Sequence, residues 1–436
     1  MPLMEDILDL AQMPSRELPA GAMEKAKLSL LDWMVCGWAG KDEPLAEKLR
    51  ALALQEAGSE VATVIGGGRA PARMAALVNG ATSHALDYDD THFAHVGHLS
   101  VGIYPAALAV AEESGAFALS MIEAFLLGAE AAIRIGLVLG KKHYNRGFHQ
   151  TATAGAFGAT VASARLYELD REQTRTALGL CATRASGLKS QFGTMGKPYN
   201  AGLAASNGVE CAKLAALGFS STDDGLMNPQ GFIPTHTDRE DLDAVKLVPT
   251  REKFLFEDNK YKFHACCHGT HAMIEGLHDA GLYGKGLGSV SKMVLRTNPR
   301  WLRVCDNKAP RTGLEVKFSY VWLAGMVIRG DDTGNEQTFT DALALDNELT
   351  AFAKHVTVNG DPEVTDLQAE GEITLTNGQV VAFRHDLDAP VDDKLLKEKL
   401  SKKAVSAIGE KGKIILERLE GFDAMKATDI GTLLAR

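Results

Sequence analysis

Ser83–Ser100 reads SHALDYDDTHFAHVGHLS and places His84, His92, His95 and His98 beside Asp87, Asp89 and Asp90, with Thr91 between the two groups. Four of the 13 histidines fall in this one run. Histidine exchanges protons near neutral pH, and a neighbouring carboxylate sets its tautomer and raises its basicity. Two Ala-rich apolar segments at helical spacing, Pro71–Ala85 and Ile103–Ala111, flank the run. The pattern predicts a helix end and a loop held between two packed helices, where a scaffold positions chemistry. The bland alternative is a solvated loop rich in His and Asp. The site reading is preferred because clustered titratable groups mark functional positions.

Outward from this run, helical periodicity dominates. Helices are expected at Pro19–Trp38, Glu43–Glu56, Ile103–Glu113, Leu119–Leu139, His149–Tyr167, Arg171–Thr183 and Pro198–Leu217, with Asp170 as an N-cap. Val61–Ile65 is a short β-branched stretch before the Gly66-Gly67-Gly68 turn, which has neither phosphate-loop spacing. The character then changes. Val290–Asn298, Glu372–Thr376 and Gln379–Arg384 read as strands, the last two joined by Asn377-Gly378, a strong hairpin signal. Helices are expected among them at Thr270–Ala280, Thr312–Ile328 and Asp341–His355. The fold class is therefore mainly α with α+β: a large all-helical domain over 1–248 and a smaller α+β domain over 249–392. A helical segment over 393–436 is expected to pack back on the helical domain.

At 436 residues the chain exceeds one ordinary core, and 45% apolar with 23% charged residues is ordinary for a globular protein. A net charge of −10 offers no global attraction to nucleic acid or an anionic membrane. The N-terminal run MPLMEDILDL is acidic where a signal peptide is basic. Ala124–Gly140 is apolar but interrupted by Glu130 and Arg134, which predicts a buried helix and not a membrane span. The six cysteines outline no disulfide framework, so a cytoplasmic location is expected.

Three further places could carry chemistry. His149 stands at the expected start of the Ala/Gly-rich helix TATAGAFGATVASA, where helix N–H groups favour a carboxylate; it could also merely cap that helix. Lys197 follows the flexible Gly193-Thr194-Met195-Gly196. Lys262–His271, KFHACCHGTH, mixes His264, Cys266, Cys267, His268 and His271 but has neither CxxC nor HExxH spacing. A pocket wall with Lys262 as anion partner is expected there in preference to zinc. Ser186-Gly187-Leu188-Lys189 fits SxxK without its companion motifs, so a serine acylase is not indicated.

Together these segments resemble the MmgE/PrpD family, which includes 2-methylcitrate dehydratases, cis-aconitate decarboxylases and iminodisuccinate epimerases. The resemblance rests on His84–His92 with His98, Gly147-Phe148-His149, Lys197-Pro198 with Gly202, and Asp223-Asp224-Gly225 leading to Pro229-Gln230-Gly231-Phe232. Lys262 with Cys266-Cys267 and His271, then Glu315–Ser319, complete the ordered set. It implies a large helical domain, a smaller α+β domain, an active site in the cleft between them, no cofactor, no metal, and a homodimer. Carried onto this chain, the implied catalytic set is Asp87, Thr91, His98, His149 and Lys197, with Lys262, Cys267, His268 and His271 binding substrate. Asn200 stands where many relatives have His, and Cys267-His268 and Trp322 depart from the decarboxylase pattern. The expected activity is a hydro-lyase of the 2-methylcitrate dehydratase type on a small di- or tricarboxylate. An epimerase or isomerase of a substituted succinate, a decarboxylase, or a non-catalytic polycarboxylate-binding protein are the alternatives. In this scheme His98, oriented by Asp87, moves a proton next to a carboxylate with His149 as its partner, and Lys197 and Lys262 stabilise the charge.

Overall fold

The structure is a computed structural model that describes residues 3–238, 242 and 247–435. In chain order the first helices are α1 (Leu3–Ala11), α2 (Ala20–Ala39), α3 (Pro44–Glu56), α4 (Ala72–Ser83) and α5 (Ser100–Ser114). Next come α6 (Ala118–Arg146), α7 (Gln150–Leu166), α8 (Arg171–Arg184), α9 (Gly196–Ala216) and the short α10 (Phe232–His236). Strands β1 (Ala62–Thr63) and β2 (Arg69–Ala70) form an antiparallel ribbon between α3 and α4. The expected strand over Val61–Ile65 thus shortens to two residues, and the helical portion is not purely helical.

There follow α11 (His268–Asp279), β3 (Val290–Thr297), α12 (Pro299–Leu302), α13 (Gly313–Val316), α14 (Tyr320–Arg329), α15 (Asp341–Ala344) and α16 (Asn347–Ala353). Strands β4 (Val356–Gly360), β5 (Gln368–Leu375) and β6 (Val380–Asp386) precede α17 (Asp393–Ile408), α18 (Glu410–Leu419) and α19 (Ala427–Leu434). The residues divide into two compact units: those up to Tyr261 with those from Glu410 onward, and Lys262–Gly409. The C-terminal segment is therefore shared. Helix α17 belongs to the second unit, whereas α18 and α19 contact α2 and α5 of the first. Among the described residues no helix is long and apolar enough to cross a membrane.

In the first unit α4, α5, α7 and α9 pack on one another, with α6 lying along α7. Every residue of α7 but Arg165 is buried, and so is nearly all of α4 and α5. Helices covered on every side need small residues at their crossings, which explains the Ala/Gly-rich composition. A Cβ on Gly80 would stand 2.9 Å from Gly202 Cα, and one on Gly158 would stand 2.6 Å from the Gly128 carbonyl. A Cβ on Gly202 would collide with the Leu77 carbonyl. Gly202→Ala is therefore expected to cost roughly 1–3 kcal/mol by overpacking, read as a lower urea midpoint. An unchanged midpoint would show that α4 and α9 part without penalty.

The second unit holds a four-stranded sheet of order β4-β3-β5-β6, parallel between β3 and β4 and antiparallel elsewhere. Asn377-Gly378 joins β5 to β6 as expected, with Gly378 at φ +86°. Helices α11 and α14 pack together, and Met273, Leu277, Leu323 and Val327 share a core with Met293, Leu295, Ile373 and Phe383 of the sheet. Two expected helices are broken. Thr312–Ile328 becomes α13 and α14 because Ser319 accepts from Trp322 N and restarts the helix; Asp341–His355 becomes α15 and α16 because Asp346 caps Glu348 and Leu349. Capping residues inside an apolar run are start signals, and they outweigh its periodicity.

Candidate active site

The run after α4 is not solvated. His84, Tyr88, Asp89, Asp90, His92 and His95 are all buried. The ends of four helices hold it: the C-terminus of α4 and the N-termini of α5, α7 and α9.

Its three aspartates do three different things. Asp90 caps α5, accepting from Ser100 N at 3.1 Å and Ser100 Oγ at 2.6 Å, and it also accepts from Asn259 Nδ2 at 2.7 Å. Asp89 lies between two imidazoles. Its Oδ1 accepts from His84 Nδ1 at 2.8 Å, and its Oδ2 is 2.8 Å from His98 Nδ1. Asp87, half exposed and at φ +53°, pairs with Lys197 Nζ at 2.6 Å and stands 3.5 Å from His98 Nε2. Asp87 therefore faces the far nitrogen of His98 from the one that the neighbouring aspartates hold, a different position from the orienting one expected of it.

The four histidines also separate. His92 donates from Nε2 to the Leu255 carbonyl at 2.9 Å and accepts from His95 N at 3.1 Å, tying the loop down. His95 is wedged against Gly97 and Gly136, and a Cβ on Gly136 would strike its ring. His84 and His98 meet edge to face at 4.7 Å, and His84 stacks on His149 at 5.9 Å.

Hydrogen-bond partners assign the tautomers. His98 Nδ1 donates to the Asp90 carbonyl at 2.7 Å, and a carbonyl oxygen can only accept. The neutral His98 ring therefore carries its proton on Nδ1 and leaves Nε2 as the basic nitrogen. His149 is the reverse. Asn200 Nδ2 lies 3.3 Å from the Leu188 carbonyl, which makes it the amide nitrogen, and it donates to His149 Nδ1 at 3.2 Å. The neutral His149 ring must then hold its proton on Nε2. His149 occupies the N-cap position of α7 but makes no side-chain cap, so the capping alternative is not what occurs. Thr151 of α7 accepts from the backbone N–H of His98 at 3.0 Å, and Thr91 Oγ1 is 3.5 Å from His98 Nδ1.

Burial controls the charge states. It lowers His84 to about 4 against the pull of Asp89. It also holds His149 well below the usual range, aided by the positive charge of His84, Lys197 and His98 nearby. Burial lowers His95 to about 3. An unfolded histidine protonates near 6.5, so between pH 6.5 and 3 the unfolded chain takes up a proton at His95 that the fold refuses. Stability is lost as pH falls through that window, by roughly 1.4 kcal/mol per pH unit. His95→Phe is expected to shrink the drop in urea midpoint between pH 7 and pH 4.5. An equal drop in both proteins would refute this assignment.

His84, Asp87, Asp89 and His98 offer donor atoms within 4.8 Å of one another, the spacing of a small metal site. The Lys197 ammonium on Asp87 already supplies a cation there.

The other expected residues lie in the second unit. Lys262 is buried, and its charge acts on Cys266 and His271. His271 donates to the Cys266 carbonyl at 3.2 Å and stacks on His268 at 5.2 Å; Cys267 is half-buried. Burial pushes the Cys266 thiol up to about 12. His264 is held by Thr333 at 2.8 Å and by Glu275 at 3.2 Å, and Glu275 also pairs with Lys399. Trp322 is a core residue that donates to the Leu343 carbonyl.

Asp89, His84 and Asn200 were absent from the expected set. The composition of the run signalled the first two, but nothing in their spacing distinguishes the buried Asp89 from the exposed Asp87. Asn200 was visible only as a departure from the family pattern.

The MmgE/PrpD N-terminal domain matches residues 10–244 and the MmgE/PrpD C-terminal domain matches residues 264–420. The chain is 29% identical over 290 residues to a cis-aconitate decarboxylase-like protein of Aspergillus oryzae, covering 62% of this chain and 59% of that protein. It is 28% identical over 286 residues to a cis-aconitate decarboxylase of Aspergillus terreus, covering 62% and 58%. To the cis-aconitate decarboxylase of Homo sapiens it is 32% identical over 170 residues, covering 38% and 35%. The matches thus span less than two thirds of these relatives' lengths. With both of its domains matched in order along this sequence, the chain belongs to the MmgE/PrpD family.

Proposed function

We propose that the protein is a lyase that eliminates water from a small hydroxylated di- or tricarboxylate by moving a proton on the carbon next to a carboxylate. The observation that carries this reading is the pair of opposite tautomers, with His98 offering a lone pair at Nε2 and His149 an N–H at Nε2. Lys197 and the N-termini of α7 and α9 supply the positive end for a substrate carboxylate. On this reading a carboxylate entering the site shares Lys197 with Asp87.

His98 Nε2 then takes the proton from the α-carbon. The electron pair left behind spreads into the adjacent carboxylate, where Lys197 and the His149 N–H stabilise it. As the carbon–oxygen bond breaks, the pair forms the double bond. The His98 imidazolium returns its proton to the departing hydroxyl, and water leaves. Burial holds His149 neutral, so in this scheme it acts as a fixed hydrogen-bond donor and His98 alone moves the proton.

A second reading, decarboxylation of cis-aconitate, is favoured by the names of the relatives. Loss of CO₂ needs a proton donor to the carbanion but no base, so a basic nitrogen held ready argues for proton abstraction. Proton NMR in D₂O with a panel of di- and tricarboxylates separates the readings. A hydro-lyase gives the unsaturated acid and, in the reverse direction, one deuterium on the α-carbon. A decarboxylase releases CO₂, and an epimerase incorporates deuterium with neither loss. No change in any member of the panel would end the lyase reading.

A further inference from the structure

Asp89 has no solvent exposure; its Oδ1 accepts from His84 Nδ1 at 2.8 Å, and its Oδ2 stands 2.8 Å from His98 Nδ1, whose N–H is donated to the Asp90 carbonyl. Burial alone would raise this carboxyl. The charge and N–H groups of His84 and His98 outweigh burial and hold it well below the usual carboxylate range. It is therefore favoured as the anion, hydrogen-bonded to one ring with the second alongside. Beyond Nδ1, His84 has nothing to do: its Nε2 is buried and has no hydrogen-bond partner among the described residues. That ring gives up one polar atom to present the other to Asp89, a cost that only the carboxylate repays.

We infer that Asp89 is a positioning residue, a buried carboxylate fixed by His84 on one oxygen so that the other lies beside His98 Nδ1, where its charge supports the imidazolium that forms at His98 while the Asp90 carbonyl holds the Nδ1–H. The inference rests on the reading of His98 as the proton acceptor. The remaining charged and titratable groups around His98 are accounted for. Asp87 and Lys197 pair with each other on the Nε2 side, the Asp90 carboxylate is spent on α5, and His149 is held by Asn200. Asp89 is thus the anion placed to balance the imidazolium that forms when Nε2 takes a proton, without itself receiving that proton.

An Asn in its place cannot serve two N–H groups, because its amide offers one acceptor oxygen and one donor nitrogen. With His98 Nδ1 still held by the Asp90 carbonyl, the amide NH₂ must turn to His84 and drive the His84 proton from Nδ1 to Nε2. Long-range ¹H–¹⁵N spectra of ¹⁵N-histidine-labelled full-length protein read this directly, with assignments from the signals lost in His84→Gln and His98→Gln. The wild-type spectrum is expected to show Nδ1–H at both rings. In Asp89→Asn, His84 is expected to switch to Nε2–H while kcat falls roughly 10²-fold with KM little changed. Nε2–H on neutral His98 in the wild type, or an unswitched His84 in a folded Asp89→Asn, overturns the inference. The wild-type spectrum decides even if the variant does not fold. These spectra need no substrate, so failure here is distinguishable from failure of the lyase reading in the deuterium experiment.

Discussion

His98→Gln is expected to lower turnover by roughly 10²–10⁴-fold, the range of general acid–base catalysis, while the fold survives. The side chain is close to the size of imidazole, and its amide can still donate to the Asp90 carbonyl, which lies 2.7 Å from Nδ1 in the native site. What it lacks is a nitrogen that takes and returns a proton. The backbone N–H of His98 keeps Thr151, so the junction of the loop with α7 stays intact. The measurement is kcat and KM on whichever acid of the D₂O panel turns over, with circular dichroism and a urea midpoint as the check on folding. A variant with near-wild-type turnover would remove His98 from the chemistry.

The largest effect on stability is expected at Glu130→Ala, on the order of 3–5 kcal/mol, the cost of breaking a buried ion pair by removing one partner. Glu130 is fully buried on α6, and Arg134 one turn later is 3% exposed. Arg134 Nε donates to Glu130 Oε1 at 2.8 Å, and Glu130 Oε2 accepts from the backbone N–H of Phe256 at 2.9 Å. Arg134 also donates to the Val248 carbonyl at 2.7 Å and to that of Lys253 at 3.3 Å. The pair therefore binds the segment around 248–256 to α6. Removing the carboxylate strands a guanidinium away from water and leaves the Phe256 N–H without its acceptor. Urea unfolding should show a lower midpoint, and the joint replacement Glu130→Leu with Arg134→Met should restore much of it. A single variant as stable as the wild type would mean that the pair contributes nothing to the fold.

Much of this is legible in the residues themselves. Glu130 and Arg134, which interrupt the apolar run, mark a buried helix in place of a membrane span. Asp170 caps α8 with a full capping box, and Asn377-Gly378 turns the hairpin. Helix interiors and two-residue turns are local, so period and turn chemistry suffice to find them. Breaks inside apolar runs are not legible in this way. At Ser319 and Asp346 the periodicity continues across a cap, and only the hydrogen bond to the next turn shows where one helix stops and another starts.

The sequence by itself determined the helical and α+β character and the family, and it singled out Ser83–Ser100, His149 and Lys197 as the candidate site. Which of three neighbouring aspartates meets an imidazole, which caps a helix and which meets the lysine was decided only by tertiary structure. So was which nitrogen of each histidine carries the proton. The physical reason is that composition records which groups are present, whereas a tautomer depends on the partner within hydrogen-bonding distance. Those partners, the Asp90 carbonyl for His98 and Asn200 for His149, are brought together only when α4, α5, α7 and α9 close over the loop.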